Sequence, residues 1–571
     1  MLLGTLISIL AFFGMVLGLS RPWAGRLGLN PAESVVAGCA LSLVVIWLGG
    51  WAWYVGGAPL GALFALPAAA GVLLILDRRA IARLFRDPEA GDLAMGQALV
   101  TAWGVCWLTF IISFSGGCWI SDWYEHWERT LALLHHWPHD HRFLGYYPMS
   151  ARPPLVNVVT MVMAAVTRAD FAHQQVFMAA FSSLAYMPAA LLAGRFASAA
   201  GGSARTAFRV TAALFIANPL FIENVTFPWT KLPAAFFVLA GLYFFLRSID
   251  RGGFATTSPA LCGGCLAGAI VAHYSAGPYA VTLGVAWLVI GCLQKGRPGY
   301  RAATAKLVAA GCCVLAPWFL WSLAVFGPSV TFLSNSSMTS VVEKWPGSNL
   351  ERIALNLLDT LVPYFMRTVD PWIILQTSPW GSLSDLCFQC YQLNLPLAMG
   401  CLGWIVIARE AIRASAAARP RQRIFWIGCL VCFVVGGVAV VNLRDHWGLT
   451  HVCLQPFVLL ALAFLAARWE LLGPAFRAAV IIGASVDLCL GIALHFAVQD
   501  LAPDAWFNPG GNLEEVSGRY SMAMRWNLRY KLGYHLDFFN DVFAAPHSLV
   551  VALLASLLLF AVFRCRKRSA G

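Results

Sequence analysis

Long apolar runs separated by short polar stretches make up most of the chain. A bilayer core is about 30 Å thick and an α-helix rises about 1.5 Å per residue, so a spanning helix needs about 20 apolar residues. The runs do not alternate apolar and polar positions, as the strands of a membrane β-barrel do. They therefore predict fifteen spanning helices, at residues 3–20, 34–55, 59–76, 96–114, 173–194, 207–222, 229–247, 259–275, 277–294, 307–326, 391–408, 424–442, 450–467, 478–497 and 547–563.

The composition supports a membrane location. Only 12% of the residues are charged, whereas soluble domains use about 25%, and the mean hydropathy is +0.70. The net charge of +12 would suit a nucleic-acid partner, but the basic residues lie in short loops, where membrane topology explains them. We therefore expect an all-α polytopic membrane protein with about 13–15 transmembrane helices, and no nucleic-acid partner.

The placement of lysine and arginine predicts the orientation. When the loops are taken alternately, one set holds 26 of the 39 basic residues, although the other set contains every long loop. Basic residues near short loops are retained on the cytoplasmic side. The basic set is therefore predicted to be cytoplasmic. The long loops 115–152, 327–390 and 499–545 are predicted to face the outside, which in a bacterium is the periplasm.

The polar stretch from Asp77 to Asp92 separates three N-terminal spans from the rest of the chain. We expect these extra helices to form an add-on module joined to a functional core. Turn-forming residues beside apolar stretches in the middle loop predict short interfacial helices there. The predicted parts are the extra helices 1–92, the core 93–326, the exterior loop 327–390 and the C-terminal helices 391–571.

The first exterior loop concentrates acidic, histidine and aromatic residues in the segment SDWYEHWERTLALLHHWPHDHRFLGYYPMSARPPL, from Ser121 to Leu155. Residues three and four apart are neighbours on a helix, so Asp122 shares a face with Glu125 and His126. One interpretation is that these acids only stabilise a helix start capped by Ser121. The other is that Asp122 is held at the membrane edge, where it accepts a proton or binds a cation.

The far end of the same loop carries two further polar features. His139, Asp140 and His141 have ligand types that suit zinc or manganese, although the same tripeptide also occurs in ordinary polar turns. Arg152 precedes two prolines, which fix the backbone and present its guanidinium rigidly. Because a guanidinium binds phosphate with two parallel hydrogen bonds, Arg152 is a candidate ligand for a lipid phosphate.

Further polar residues recur at the predicted exterior ends of later spans. Each has an ordinary interpretation: Lys231 can snorkel to the interface, and His273 can cap a neighbouring helix. All lie on the same side as the first loop, however, and ionisable residues at a membrane edge tend to line cavities. We therefore expect them to converge. They are Glu223, Asn224, Lys231, His273, Tyr274, His446 and His451.

Three stretches resemble the polyprenyl-phosphate-sugar-dependent glycosyltransferases of the GT-C superfamily, which include protein O-mannosyltransferases and the aminoarabinose transferase of lipid A. They are the acid after a span in SDWYEHWERT, the Arg-Pro-Pro-Leu of ARPPL, and the lysine at a span mouth in NPLFIENVTFPWTKLPAAFFVLAGLYF. HYSAGPY and THVCLQP are weaker matches, and the likeness covers roughly residues 96–465. It implies a GT-C-type helical bundle with interfacial helices in the exterior loops.

The resemblance also implies roles for particular residues. Asp122 would be the catalytic base, while Arg152, Lys231 and His273 would bind the donor phosphate. Asp140, with His139 and His141, would stand for a second acidic centre, but the His-Asp-His sequence departs from a plain acidic pair. No cofactor is certain, and dependence on a divalent cation at Asp122 and Asp140 stays open. Residues that would support the site are Glu125 and Tyr274.

The implied activity is inverting transfer of a sugar from polyprenyl phosphate to the hydroxyl of a lipid, glycan or protein acceptor. It would take place on the periplasmic face of a bacterial inner membrane. One alternative is a secondary transporter or lipid flippase, whose sites lie near the bilayer midplane and whose halves often repeat. No repeat is visible here. The other alternative is a surface-polysaccharide polymerase or ligase, for which the late loop 499–545 would supply the basic site.

Overall fold

The computed structural model describes residues 2–24, 27–110, 120–143, 147–169, 171–250, 252–293, 298–334 and 450–496, with isolated positions between 348 and 428. Within these ranges the chain forms helices and no strand, apart from one isolated bridge between Phe143 and Tyr147. The prediction of an all-α membrane protein is confirmed. The division of the chain into four parts stays a prediction.

Sixteen α-helices lie in the described ranges, and we number them in chain order. They are α1 Leu2–Ala24, α2 Pro31–Gly56, α3 Ala65–Arg86, α4 Pro88–Phe110, α5 Ile120–Leu134, α6 Leu155–Thr167, α7 Phe171–Ser183, α8 Tyr186–Ala199, α9 Ala204–Ala217, α10 Pro219–Thr226, α11 Lys231–Ile249, α12 Ser258–Ala272, α13 Gly277–Leu293, α14 Tyr300–Leu333, α15 Thr450–Ala467 and α16 Pro474–Phe496. Short 3-10 turns join several of them, including Met149–Ala151 before α6 and Tyr274–Ala276 before α13.

The predicted spans correspond well to the helices. Twelve of the fifteen runs fall on described helices, and the runs 391–408, 424–442 and 547–563 lie largely or wholly outside the described residues. By length and composition, seven helical segments of the described residues can cross a membrane, with α7 and α8 counted together as one, or eight if the bent pair α9–α10 is one span. That pair bends by 73° where Asn218 caps α10.

The loops that we predicted to be cytoplasmic meet one another at one end of the bundle. Ion pairs join them at N–O distances of 2.6 to 3.1 Å, and the backbone N–H of Ser203 donates to Glu470 at 2.9 Å. These contacts group the loops as predicted, while the assignment of that end to the cytoplasm stays a prediction. The ion pairs are Arg205 and Arg209 with Asp92, Arg195 with Asp250, and Arg247 with Glu33.

Close helix contacts in the membrane depend on small residues, as between α12 and α14. A Cβ atom at Gly263 would overlap the backbone carbonyl of Leu307 in α14, whereas a Cβ at the neighbouring Gly264 would meet nothing within 4 Å. Without a hydrophobic driving force between helices in lipid, such contacts supply much of the association energy. Gly263 therefore fixes how closely α14 approaches α12.

We expect Gly263→Val to lower thermal stability markedly, since overpacking costs about 1–3 kcal/mol. Gly264→Val is the matched control, because it makes the same change one residue along the same helix without an overlap. The measurement is the thermal transition of each purified variant in detergent. Equal transition temperatures for the two variants would contradict the close contact.

Candidate active site

The polar face of α5 is buried against α6. Glu125, His126 and Arg129 are each less than 5% exposed. The amide of Asn157 in α6 holds His126 from two sides, because its Nδ2 donates to the His126 carbonyl at 2.9 Å and its Oδ1 lies 3.3 Å from the imidazole Nδ1. The hydroxyl of Thr130 in α5 also donates to the His126 carbonyl, at 2.8 Å. These bonds fix the rotation of α5 and aim its charged residues into the protein.

Glu125 is the centre of a buried charge cluster. Its Oε1 accepts from Arg129 Nε at 2.7 Å and lies 3.5 Å from Arg152 Nε. Burial raises the pKa of the Glu125 carboxyl, but the charges of Arg152 and Arg129 outweigh this effect and lower the pKa to about 2. Glu125 is therefore ionised, and it holds two arginines together on the inner side of α5.

Arg129 connects α5 to the returning end of the loop. Its two terminal nitrogens donate to the carbonyls of Pro148 and Met149 at 3.2 and 3.1 Å, and its guanidinium lies 4.2 Å from the centre of the Phe143 ring. The 3-10 turn that contains Met149 ends directly before Arg152. The position of Arg152 is thus tied to α5 through both Arg129 and Glu125.

Arg152 lies where the sequence predicts a rigid basic residue. Its backbone is extended, as a residue before proline requires, and Pro154 caps the start of α6. The guanidinium is 5.3 Å from the centre of the Tyr147 ring, and its side chain is only 12% exposed. This arrangement presents a preorganised, largely dehydrated cation at one end of the bundle.

Lys231 is buried rather than snorkelling to an interface. It is the first residue of α11 and 6% exposed, and its Nζ lies 2.9 Å from the centre of the Trp229 ring. Trp229 is itself only 3% exposed, so it does not belong to a lipid-facing aromatic belt. The ring therefore holds the ammonium inside the protein by a cation–π contact.

His273 follows the last residue of α12 and has a defined tautomer. Its Nδ1 accepts from the backbone N–H of Ser275 at 3.1 Å and lies 2.8 Å from the Ser275 hydroxyl. Because Nδ1 is an acceptor, a neutral imidazole carries its proton on Nε2 and can donate from there. The charges of Arg152 and Lys231 both act on this buried ring. Two of the residues predicted to bind phosphate, Arg152 and Lys231, thus lie close enough to act on the third, His273.

Tyr274 supports the same region through backbone contacts. Its hydroxyl donates to the carbonyl of Ser150 at 3.3 Å and accepts from the indole N–H of Trp318 at 3.0 Å. Ser150 is two residues before Arg152, so Tyr274 fixes the turn that carries Arg152. The role of Tyr274 in supporting the site stays a prediction.

The backbone of Asp122 lies in the first turn of α5, while its side chain is outside the described residues. Helical spacing places this residue one turn before Glu125 and His126, as predicted. His446 and the side chain of His451 also lie outside the described part of the chain. The role of Asp122 as a base stays a prediction.

The His-Asp-His segment lies at the surface of the same loop. His139 and Asp140 are exposed, and the His139 ring packs edge-on against Trp321 at 5.1 Å. His141 Nε2 lies 3.1 Å from Glu128 Oε1. Among the described residues no group of three histidine, cysteine or acidic side chains is arranged to hold a metal ion. A second acidic centre here, with or without a metal, stays a prediction.

The sequence interpretation missed residues that organise the site without resembling a motif. Arg129 and Ser275 hold the predicted site residues Glu125 and His273 in place, and Asn157 holds His126 beside them. A signal existed for Arg129, because it follows Glu125 by four residues and opposite charges at that spacing pair on a helix. Asn157 and Ser275 act through tertiary or local backbone contacts that spacing does not reveal.

No family model and no curated protein matches this chain. Among solved structures, ArnT from Cupriavidus metallidurans bound to undecaprenyl phosphate is similar at 16% identity and a TM-score of 0.49, over 82% of this chain and 76% of that one. The apo state of the same protein is similar at 17% identity and a TM-score of 0.43, over 76% of this chain and 72% of that one.

The archaeal oligosaccharyltransferase AglB from Archaeoglobus fulgidus, in complex with an inhibitory peptide and a dolichol-phosphate, gives 13% identity and a TM-score of 0.35. The match covers 77% of this chain and 60% of AglB. ArnT and AglB are GT-C proteins, the superfamily that the sequence resembles. The functional proposal rests on the residues of the site itself.

Proposed function

We propose that the chain is an inverting membrane glycosyltransferase that moves a sugar from a polyprenyl-phosphate donor to an acceptor hydroxyl on the periplasmic face of the membrane. The observation that carries this proposal is that Arg152 and Lys231 both act electrostatically on the buried His273 ring, while Arg152 lies 3.5 Å from Glu125 of α5. Cations held at fixed, buried positions in a membrane protein tend to mark a substrate or ion site rather than a lipid-facing surface. A phosphate linked to lipid supplies such an anion.

The basic groups of the site can stabilise the leaving group of the proposed reaction. When the sugar leaves, its lipid phosphate departs as an anion, so a fixed guanidinium, an ammonium and an imidazole N–H stabilise it without a general acid. A base on the acceptor side then completes an inverting displacement. Asp122 is the candidate, because α5 carries it one turn from the Glu125 cluster. It would take the proton of the acceptor hydroxyl as the oxygen attacks the anomeric carbon.

The positions of these residues favour a transferase over a transporter. Lys231 is the first residue of α11 and His273 follows the last residue of α12, so both lie at helix ends. A secondary transporter typically binds its substrate near the midplane on broken helices. A site at helix ends, beside loops predicted to be exterior, instead suits an acceptor that arrives from outside the membrane.

The proposal is tested by reconstituting the protein in liposomes with a panel of polyprenyl-phosphate sugars and lipid, glycan and peptide acceptors. We expect lipid phosphate to be released only when a suitable acceptor is present. Arg152→Gln should slow release about 100-fold, as expected for loss of one preorganised charge-stabilising donor. A chelator added to the same assay tests for a divalent cation.

The matched control is Arg195→Gln, which makes the same change at the opposite end of the bundle, where Arg195 pairs with Asp250 at 2.8 Å. Its release rate should stay close to that of the unmodified protein. Solute uptake without turnover of the lipid donor would contradict the transferase and favour the transporter. Repeated addition of units to one growing glycan would favour a polymerase.

A further inference from the structure

The first turn of α11 has an unusual set of polar groups. Thr230 is the residue before the helix, and Lys231, Leu232 and Pro233 form its first three positions. A threonine at this place normally accepts a hydrogen bond from the backbone N–H of the second or third helical residue. Proline at the third position has no N–H. The Thr230 side chain makes no capping bond to the second position either.

Two polar groups at this helix end are therefore buried without a partner in the described part of the protein. The Thr230 hydroxyl has no hydrogen-bond partner, although the residue is only 1% exposed. Leu232 is also 1% exposed, and no described group accepts from its backbone N–H. Nearly all buried polar groups in native proteins are paired, so an unpaired hydroxyl beside an unpaired N–H indicates a ligand.

The surroundings indicate which ligand. A helix N-terminus carries a partial positive charge and favours anions, particularly phosphate. Lys231 lies in the same turn, with its ammonium held over Trp229. The turn Tyr274–Ala276, which follows His273, packs against α11. An ammonium and backbone N–H groups repel a cation, so the site fits an oxyanion.

We propose that the first turn of α11 binds the phosphate of the lipid donor, with the Thr230 hydroxyl and the Leu232 N–H donating to its oxygens. This inference rests on the proposed function and adds to it a binding element that no charged residue supplies. Arg152 and Lys231 provide charge, whereas the helix end provides directed hydrogen bonds. Together they fix the orientation of the phosphate as well as its location.

The test compares Thr230→Val with Thr230→Ser in the full-length protein in lipid nanodiscs. Valine has nearly the shape of threonine without its hydroxyl, while serine keeps the hydroxyl. Binding of polyprenyl phosphate, measured by native mass spectrometry, should weaken about tenfold or more in Thr230→Val, the usual effect of losing a hydrogen bond to a charged group. Thr230→Ser should bind as the unmodified protein does.

Thr226→Val is the matched control. Thr226 is as buried as Thr230, but its hydroxyl is satisfied by the carbonyls of Ile222 and Glu223 at 3.0 and 3.1 Å. The Thr226→Val variant should bind polyprenyl phosphate with the same affinity as the unmodified protein. Thermal transitions without lipid provide a second measurement. Thr230→Val should be at least as stable as the unmodified protein, because it removes an unpaired buried hydroxyl.

Inorganic phosphate and a polyprenol without phosphate are the two further probes. Weaker binding of both polyprenyl phosphate and inorganic phosphate to Thr230→Val would support phosphate recognition at this turn. Weaker binding of polyprenyl phosphate alone would show that the turn recognises the phosphate of the lipid donor. An effect on polyprenol alone would overturn the inference. Unchanged affinity of Thr230→Val, with Arg152→Gln still impaired, would overturn it while the proposed function stands. Failure of the unmodified protein to bind polyprenyl phosphate would instead overturn the proposed function.

Discussion

Asp122→Asn should abolish sugar transfer while leaving the binding of the polyprenyl-phosphate donor largely intact. Asparagine has nearly the shape of aspartate but cannot take the proton of the acceptor hydroxyl. Loss of a positioned general base typically slows a reaction by about 10²–10⁴-fold. Donor binding should persist, because the groups proposed to hold the phosphate lie on other elements, at Arg152, α11 and His273. The measurements are the rate of sugar transfer in liposomes and the affinity for the donor.

Two further variants sharpen this test. Asp250→Asn makes the same change at the opposite end of the bundle, where Asp250 is half-exposed, and it should leave the transfer rate unchanged. Asp140→Asn tests the predicted second acidic centre, and a loss comparable to that of Asp122→Asn would support that centre. Full activity of Asp122→Asn would exclude Asp122 as the base.

Much of the architecture could be predicted because its causes are local. Helix-length apolar runs specify helices directly, and the prolines after Arg152 restrict the backbone of that residue whatever surrounds it. The convergence of Lys231 and His273 was also predictable, since burying separate ionisable residues at one end of a membrane bundle is otherwise costly. Lys231 differs from its ordinary interfacial interpretation because the fold buries it together with Trp229.

Contacts between residues that are far apart in the sequence could not be predicted. Helix α6 is mostly apolar but has only 13 residues, too few for a span, so the hydropathy pattern alone did not reveal it. Arg129 bonds to carbonyls 19 and 20 residues later, and no spacing rule connects such positions. Glu125 therefore looked like a supporting acid, whereas the structure places it between two arginines.

Thr230 is a different case. The sequence contains the relevant pattern, a threonine three residues before a proline, but its meaning depends on knowing where the helix begins. Thr-Lys-Leu-Pro is an ordinary helix start until the cap position is known. Once Thr230 is the cap, the proline at the third helical position removes the N–H to which the threonine would commonly bond. The unpaired hydroxyl then follows from local chemistry together with burial.

Glu125→Gln should destabilise the fold by about 3 kcal/mol at neutral pH, because removing one partner of a buried ion pair leaves the others uncompensated. Glutamine keeps the shape of the side chain, but Arg129 and Arg152 would then repel each other inside the protein. The matched control is Glu128→Gln, one turn along α5, where the carboxylate is 14% exposed and pairs with His141 at 3.1 Å. That change should cost at most about 1 kcal/mol.

The effect of Glu125→Gln should also depend on pH in a defined direction. The pKa of Glu125 is lowered from 4.5 to about 2 in the folded protein, chiefly by Arg152 and Arg129 against the opposing effect of burial. A lowered folded-state pKa means that the stabilisation is complete above the unfolded pKa and is lost as the pH falls through the folded one. The difference in thermal transition between the unmodified protein and Glu125→Gln should therefore be largest at pH 7 and shrink between about pH 4.5 and 2. A difference that stays constant down to pH 2 would show that the Glu125 carboxylate is not stabilised by the two arginines.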